Sequence, residues 1–151
     1  MFRIRMAALL WLAASPAMAE GVAIFPPKLL DTSHEARDQS ADHQRRLDLL
    51  AGILSESLTP SVIIRSGQVA SACSPETTGC LLALARDSQA DRSLFVVVQK
   101  TSTLIMQIFT TLVDTSSGEL IASPSLNFRG DTDEAWRRAG RFLARDLKDD
   151  L

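Results

Sequence analysis

The span from Leu94 to Asp131 constrains this chain most, because it reads as three consecutive β-strands leading into a last helix. β-Branched and large apolar residues are dense in LFVVVQK, TLIMQIFTTLVD and ELIASPSLNF, and the breakers fall between those runs. In the middle run Leu104, Met106, Ile108, Thr110 and Leu112 alternate onto one face. Ile105, Gln107, Phe109, Thr111 and Val113 take the other. One face is nearly all apolar and the other mixed, the pattern of an interior antiparallel strand with helices against one side. Asp114 to Gly118 closes the second hairpin, Gly118 being free to take a positive φ. Lys100 to Thr103 forms the first turn without Gly or Asn.

Ahead of this meander lie shorter elements. Gly21 to Phe25 is a short apolar run ended by Pro26-Pro27, and Lys28 to Ser33 extends it beyond the prolines. The segment from Ser33 to Arg46 is polar; Leu47, Leu50, Ala51, Leu54 and Leu58 then recur at helical spacing. This predicts one helix from near Ala41 to about Ser57, stopped by Pro60. Val62 to Ile64 is a second short strand, and Gln68 to Ser71 leads into a cysteine loop. A second helix covers Gly79 to Asp87 with Leu81, Leu84 and Ala85 along one side. In the last helix Trp136, Gly140, Leu143 and Leu147 repeat at i, i+4, i+7 and i+11. The expected order is β-α-β-α-β-β-β-α. It defines an α/β (α+β) fold with a mixed five-stranded sheet, a C-terminal antiparallel meander and helices mainly on one face.

The N-terminus speaks to compartment. Arg3 and Arg5 precede the short apolar run AALLWLAA, and Ala17-Met18-Ala19 supplies small residues where a signal peptidase reads. A membrane anchor needs about 20 apolar residues, far more than this run holds. Residues 1–19 are therefore expected to be a cleavable signal peptide, with cleavage after Ala19 and residues 20–151 forming one periplasmic domain. No Cys stands directly after the cleavage site to carry a lipid, and no later run predicts a transmembrane segment. Beyond residue 19 there remain 14 Lys and Arg against 18 Asp and Glu, a formal charge of −4. A mildly acidic domain with scattered basic residues excludes nucleic acid as a natural partner.

Cys73 and Cys80 are the only cysteines, and an exported chain meets an oxidising environment. On one continuous helix their Cα atoms would stand about 10 Å apart, too far for a disulfide. A bridge therefore requires the helix to start after Cys73, and Ser74-Pro75 supplies an N-cap followed by a first-turn proline. The other reading, a redox-active pair, lacks the CxxC spacing of thioredoxin-like catalysts.

The chemistry-bearing residues fall in two places. Asp31-Thr32-Ser33 follows a strand, and Gly130-Asp131-Thr132-Asp133-Glu134 opens the last helix. Strand ends and helix starts are where α/β folds put ligand contacts, so Asp31, Thr32, Gly130, Asp131, Thr132 and Asp133 are candidate binding residues. Against that stands plain turn formation and capping, since Asp131 and Glu134 have capping-box spacing. Trp136 reads either as core or, if part of its ring is exposed, as a docking hot spot. His34, Asp38 and His43 could form a metal site at spacings of four and five, or simply a solvated helix start. No nucleophile elbow, phosphate-binding glycine loop or His-based nucleophile arrangement is present, so no catalytic residue, metal or cofactor is assigned.

Four pieces in this order, VAIFPPKLLDTS, CSPETTGC, LFVVVQKTSTLIMQIFTTLVDTSSGEL and FRGDTDEAWRRAGRFL, resemble a family of exported proteobacterial proteins defined only as a domain of unknown function. The resemblance covers nearly all of the chain after residue 19. Its most specific part is the G-x-T-D-E-x-W element of Gly130, Thr132, Asp133, Glu134 and Trp136. The architecture is similar to the amino-terminal domain of TolB and the periplasmic domain of CsgG-like proteins. That likeness implies a non-catalytic binding or adaptor domain with a protein partner in the cell envelope; the family resemblance separately suggests an accessory to a periplasmic quinoprotein dehydrogenase. The alternative is a small-ligand or metal-binding protein, or an enzyme, using the Asp31 to His43 segment with the Gly130 to Glu134 loop.

Overall fold

A computed structural model describes residues 21–151, so the expected signal peptide and its cleavage site lie outside the described residues. The elements run β1 (Val22–Ile24), β2 (Lys28–Asp31), α1 (Ser40–Ser57), β3 (Ser61–Ile63), α2 (Ser66–Ala72) and α3 (Thr78–Asp87). They continue as β4 (Arg92–Lys100), β5 (Met106–Asp114), β6 (Leu120–Ala122), β7 (Ser125–Phe128) and α4 (Asp133–Lys148). The fold is mixed α/β, as the pattern of runs predicts. The sheet has seven strands in place of five, because two of the five runs are broken at proline. Phe25-Pro26-Pro27 separates β1 from β2, and Ser123-Pro124 separates β6 from β7. Proline has no N–H for the ladder and restrains the residue before it, so each run stops and restarts on the same neighbour. Both β1 and β2 pair with β4, and both β6 and β7 pair with β5.

The resulting order is β3-β1-β4-β5-β6, with β2 continuing the β1 position and β7 the β6 position. β1 is parallel to β3 and β4, and β2 to β4, whereas β5 runs antiparallel to its neighbours. The β4–β5 hairpin is the spine, in unbroken register from Arg92↔Asp114 to Lys100↔Met106. Its turn is longer than the sequence suggests. β5 begins at Met106, leaving Leu104 and Ile105 exposed in the turn, outside the strand.

Helices lie on both faces. The alternating residues Val96, Val98, Met106, Ile108 and Leu112 pack against Leu47, Leu50 and Leu54 of α1 and Trp136, Leu143 and Leu147 of α4. Burying each such side chain contributes about 1.5–3 kcal/mol. The two helices approach closely at Gly140, where a Cβ would stand 3.0 Å from Leu50 Cδ1. On the other face Ala23, Phe25 and Ile64 meet Val69, Cys73, Leu81 and Ala85. This second layer contains α2, which the sequence hid because seven residues with one buried position, Val69, show no helical period. Cys73 ends α2 and Cys80 sits in the first turn of α3, which starts at Thr78 with Thr77 as its cap, a few residues past the Ser74-Pro75 start expected. The cysteines are joined in a disulfide with Cα atoms 5.7 Å apart. The second layer covers only the β1–β3 side, so Val97 and Phe109 remain partly exposed on that face.

Candidate functional site: a buried ion network under the hairpin turn

Strand alternation drives Lys100 inward. It follows Val96 and Val98 on the face that α1 and α4 cover, and it is fully buried. A lysine there requires partners, because an unpaired buried ammonium is prohibitively costly. Lys100 Nζ lies 3.0 Å from Asp131 Oδ2 and 3.0 Å from Glu35 Oε2. Asp131 comes from the loop ahead of α4, where Gly130 takes φ +91° and Asp131 N–H donates to the Thr103 carbonyl at 2.9 Å. Its carboxylate also accepts from His43 Nε2 (2.8 Å), Arg46 Nη1 (2.8 Å) and Trp136 Nε1 (3.0 Å). Glu35 accepts the Thr103 N–H at 2.9 Å and the Gln39 amide at 2.6 Å. Asp133, at the rim, takes Arg46 Nε and Arg45 Nη2, each at 3.0 Å.

Burial by itself would push the Asp131 carboxyl up. The hydrogen bonds from His43, Lys100 and Trp136, with the charge of Arg46, outweigh it and hold the group at about 2. Burial would likewise lower Lys100, but Asp131 and Glu35 win and raise it above the ordinary lysine value. The Lys100 hydrogen bond is the main reason Glu35 is lowered. Lys100 is thus no free amine nucleophile and Asp131 no ready base at neutral pH. Among the described residues every buried side-chain nitrogen and oxygen has a partner. The arrangement is a strut: it ties β4, the β4–β5 turn, the start of α1 and the entry to α4 into one unit.

The two sequence segments singled out for chemistry therefore meet, through His43 and Asp131. Their roles differ from those expected. Asp131 is a buried acceptor. The cap of α4 is Thr132, whose Oγ1 accepts the Ala135 N–H at 3.3 Å. Trp136 is fully buried, its ring edge-on to Phe128 and its N–H spent on Asp131, so it belongs to the core and presents no docking surface. Asp31 makes a local turn by accepting from Ser33 N–H at 2.9 Å, and Thr32 holds the Lys100 carbonyl through N–H (2.8 Å) and Oγ1 (3.1 Å). His34, Asp38 and His43 do not come together in the fold: among the described residues no group of three His, Cys, Asp or Glu side chains is placed to hold an ion. His34 is exposed, and Asp38 accepts the Ser40 N–H at the start of α1. Lys100, Glu35 and Arg46 were missed. Alternation after Val98 marks Lys100 as inward, and Arg46 sits on the helical stripe with His43 and Leu50.

The fold is thus a mixed α/β domain, with two helices on one face of the sheet and a short helix pair on the other. The chain belongs to the family described as "Protein of unknown function (DUF2380)", whose model matches residues 20–147. A search of curated proteins finds no match to the sequence. Among solved structures, the PelC dodecamer from Paraburkholderia phytofirmans is similar at 15% identity and TM-score 0.54, over 89% of this chain and 90% of that one. TolB from Acinetobacter baumannii gives 15% identity and TM-score 0.54 over 92% of this chain and 30% of its own. The hypothetical protein CT253 from Chlamydia trachomatis gives 11% identity and TM-score 0.54 over 86% of this chain and 96% of that one. At these identities the likeness is one of fold. Among the described residues no helix is long and apolar enough to cross a membrane.

Proposed function

We propose that this chain is a non-catalytic binding domain, exported with cleavage after Ala19 and working in the periplasm as residues 20–151. Its partner is another protein of the cell envelope. One observation carries the reading: Leu104 and Ile105, 67% and 56% exposed, project from a turn that the buried network holds from beneath. Thr103 and Asp131 link that turn to α4, and Glu35 links it to the start of α1. Exposed aliphatic side chains on a braced turn give a contact that needs little ordering on binding. The leader-like pattern of residues 1–19, the disulfide and the paired, chemically quiet network support the same reading. An accessory role beside a quinoprotein dehydrogenase rests on the sequence resemblance alone.

The test is affinity capture of the tagged chain from its own periplasm after light crosslinking, beside a Leu104→Asp/Ile105→Asp variant. Both positions are exposed, so the variant should fold with unchanged stability. A stoichiometric protein captured by the parent and lost by the variant is the expected result, and its identity decides the dehydrogenase question. If nothing exceeds the tag control, or the variant captures the same protein equally well, the reading fails.

A further inference from the structure

Strands β1, β3 and β4 are parallel, so their chains leave the sheet at the same end. From β1 the chain passes through β2 to α1 on one face, and from β3 it passes to α2 on the other. Where neighbouring strands send their connections to opposite faces, a crevice opens beyond their carboxyl ends, the usual ligand position in α/β sheets. Here the crevice has a volume of about 690 Å³. It opens beside the point where β3 ends at Ile63 without continuing alongside β2.

Its walls are apolar: Phe25, Pro27, Ile64, Val69, Phe95 and Val97 line it. Phe25 and Phe95 stack with centroids 4.6 Å apart. The charged groups sit among the same lining residues, and most are already engaged. Lys28 is paired with Glu76, and Asp48 accepts the Gln44 amide at 2.9 Å. Arg65 makes no ion pair among the described residues, and the hydroxyl-bearing Ser66 lies next to it. A pocket of this size, mainly apolar with one uncommitted cation, suits a small amphiphile.

We propose that this crevice binds a fatty-acid-like carboxylate. Its apolar tail lies between α1 and α2 against Phe25 and Phe95, and its carboxylate is held by the Arg65 guanidinium. The planar guanidinium offers paired N–H donors that match a carboxylate. The site lies apart from the exposed turn and stands or falls independently of the protein-binding reading.

The experiment is calorimetric titration of residues 20–151 with sodium decanoate below its micelle-forming concentration, with amide chemical shifts recorded in parallel. Saturable one-to-one binding, with shifts centred on Phe25, Ile64 and Phe95, is expected. Arg65→Ala should weaken decanoate binding by about tenfold or more, the scale of a lost charged hydrogen bond, and leave the uncharged methyl ester unaffected. Ala70→Trp, at an exposed lining position, should fill the crevice and abolish binding of both with the unfolding curve unchanged. Ser66→Trp repeats that test from another position. Non-saturable uptake, or binding that survives both tryptophan variants, overturns the site. Equal weakening of acid and ester by Arg65→Ala overturns the assigned head group.

Discussion

Replacing Asp131 by alanine would take the shared acceptor from the His43 ring and the Trp136 N–H and leave Lys100 with Glu35 and Arg46 with Asp133, in a place largely closed to water. Breaking a buried charge pair from one side costs about 3–5 kcal/mol, against about 1 kcal/mol for a lost helix cap. Urea unfolding should therefore separate Asp131→Ala, in the larger range, from Thr132→Ala, which removes the true cap and should cost about 1 kcal/mol. The same carboxyl sets an acid limit. Its ordinary value of 3.8 applies in the unfolded chain and about 2 in the folded one. The stabilisation is complete above the unfolded value and drains away as pH falls from about 4 to about 2, removing about 2 kcal/mol. Unfolding free energy followed across that window should fall with acid in the parent and change less in Asp131→Asn. At this scale the sequence is readable only in part. Asp131, Thr132 and Trp136 stand out as residue types, yet whether an aspartate before a helix caps it or turns inward depends on which side chains the sheet and α1 bring beneath it. Lys100 is the clearest case: read as turn polarity it is unremarkable, whereas strand parity puts it in the core.

At the scale of elements, periodicity is legible where one face is long. The alternation through β4 and β5 and the stripe of α4 predict the buried residues closely, because each element packs a whole face against others. The short elements escape. α2 has too few residues for a period, and the two edge runs look continuous until the missing proline N–H groups break them. The disulfide joins two such short pieces, tying the end of α2 to the first turn of α3. Removing it as Cys73→Ala/Cys80→Ala should lower unfolding free energy by about 2.5 kcal/mol through loop-closure entropy. Amide exchange should then accelerate across α2 and α3 more than across α1 and α4, which share the other core.

At the scale of the whole molecule, every edge of the sheet is short among the described residues. β3 and β6 present three residues each, and β2 and β7 four, each stopping near a proline or turning away into a helix. A long straight edge would be a template on which an unfolded neighbour could lay down its own strand. Here, among the described residues, a second copy of the chain finds no landing stretch longer than four residues, and growth from such a stretch would stall at Pro26 or Pro124. The prolines that cost this sheet its tidy five-strand pattern thereby act as stops against polymerisation. They leave the molecule free to meet its surroundings through side chains, with the backbone edges closed to recruitment.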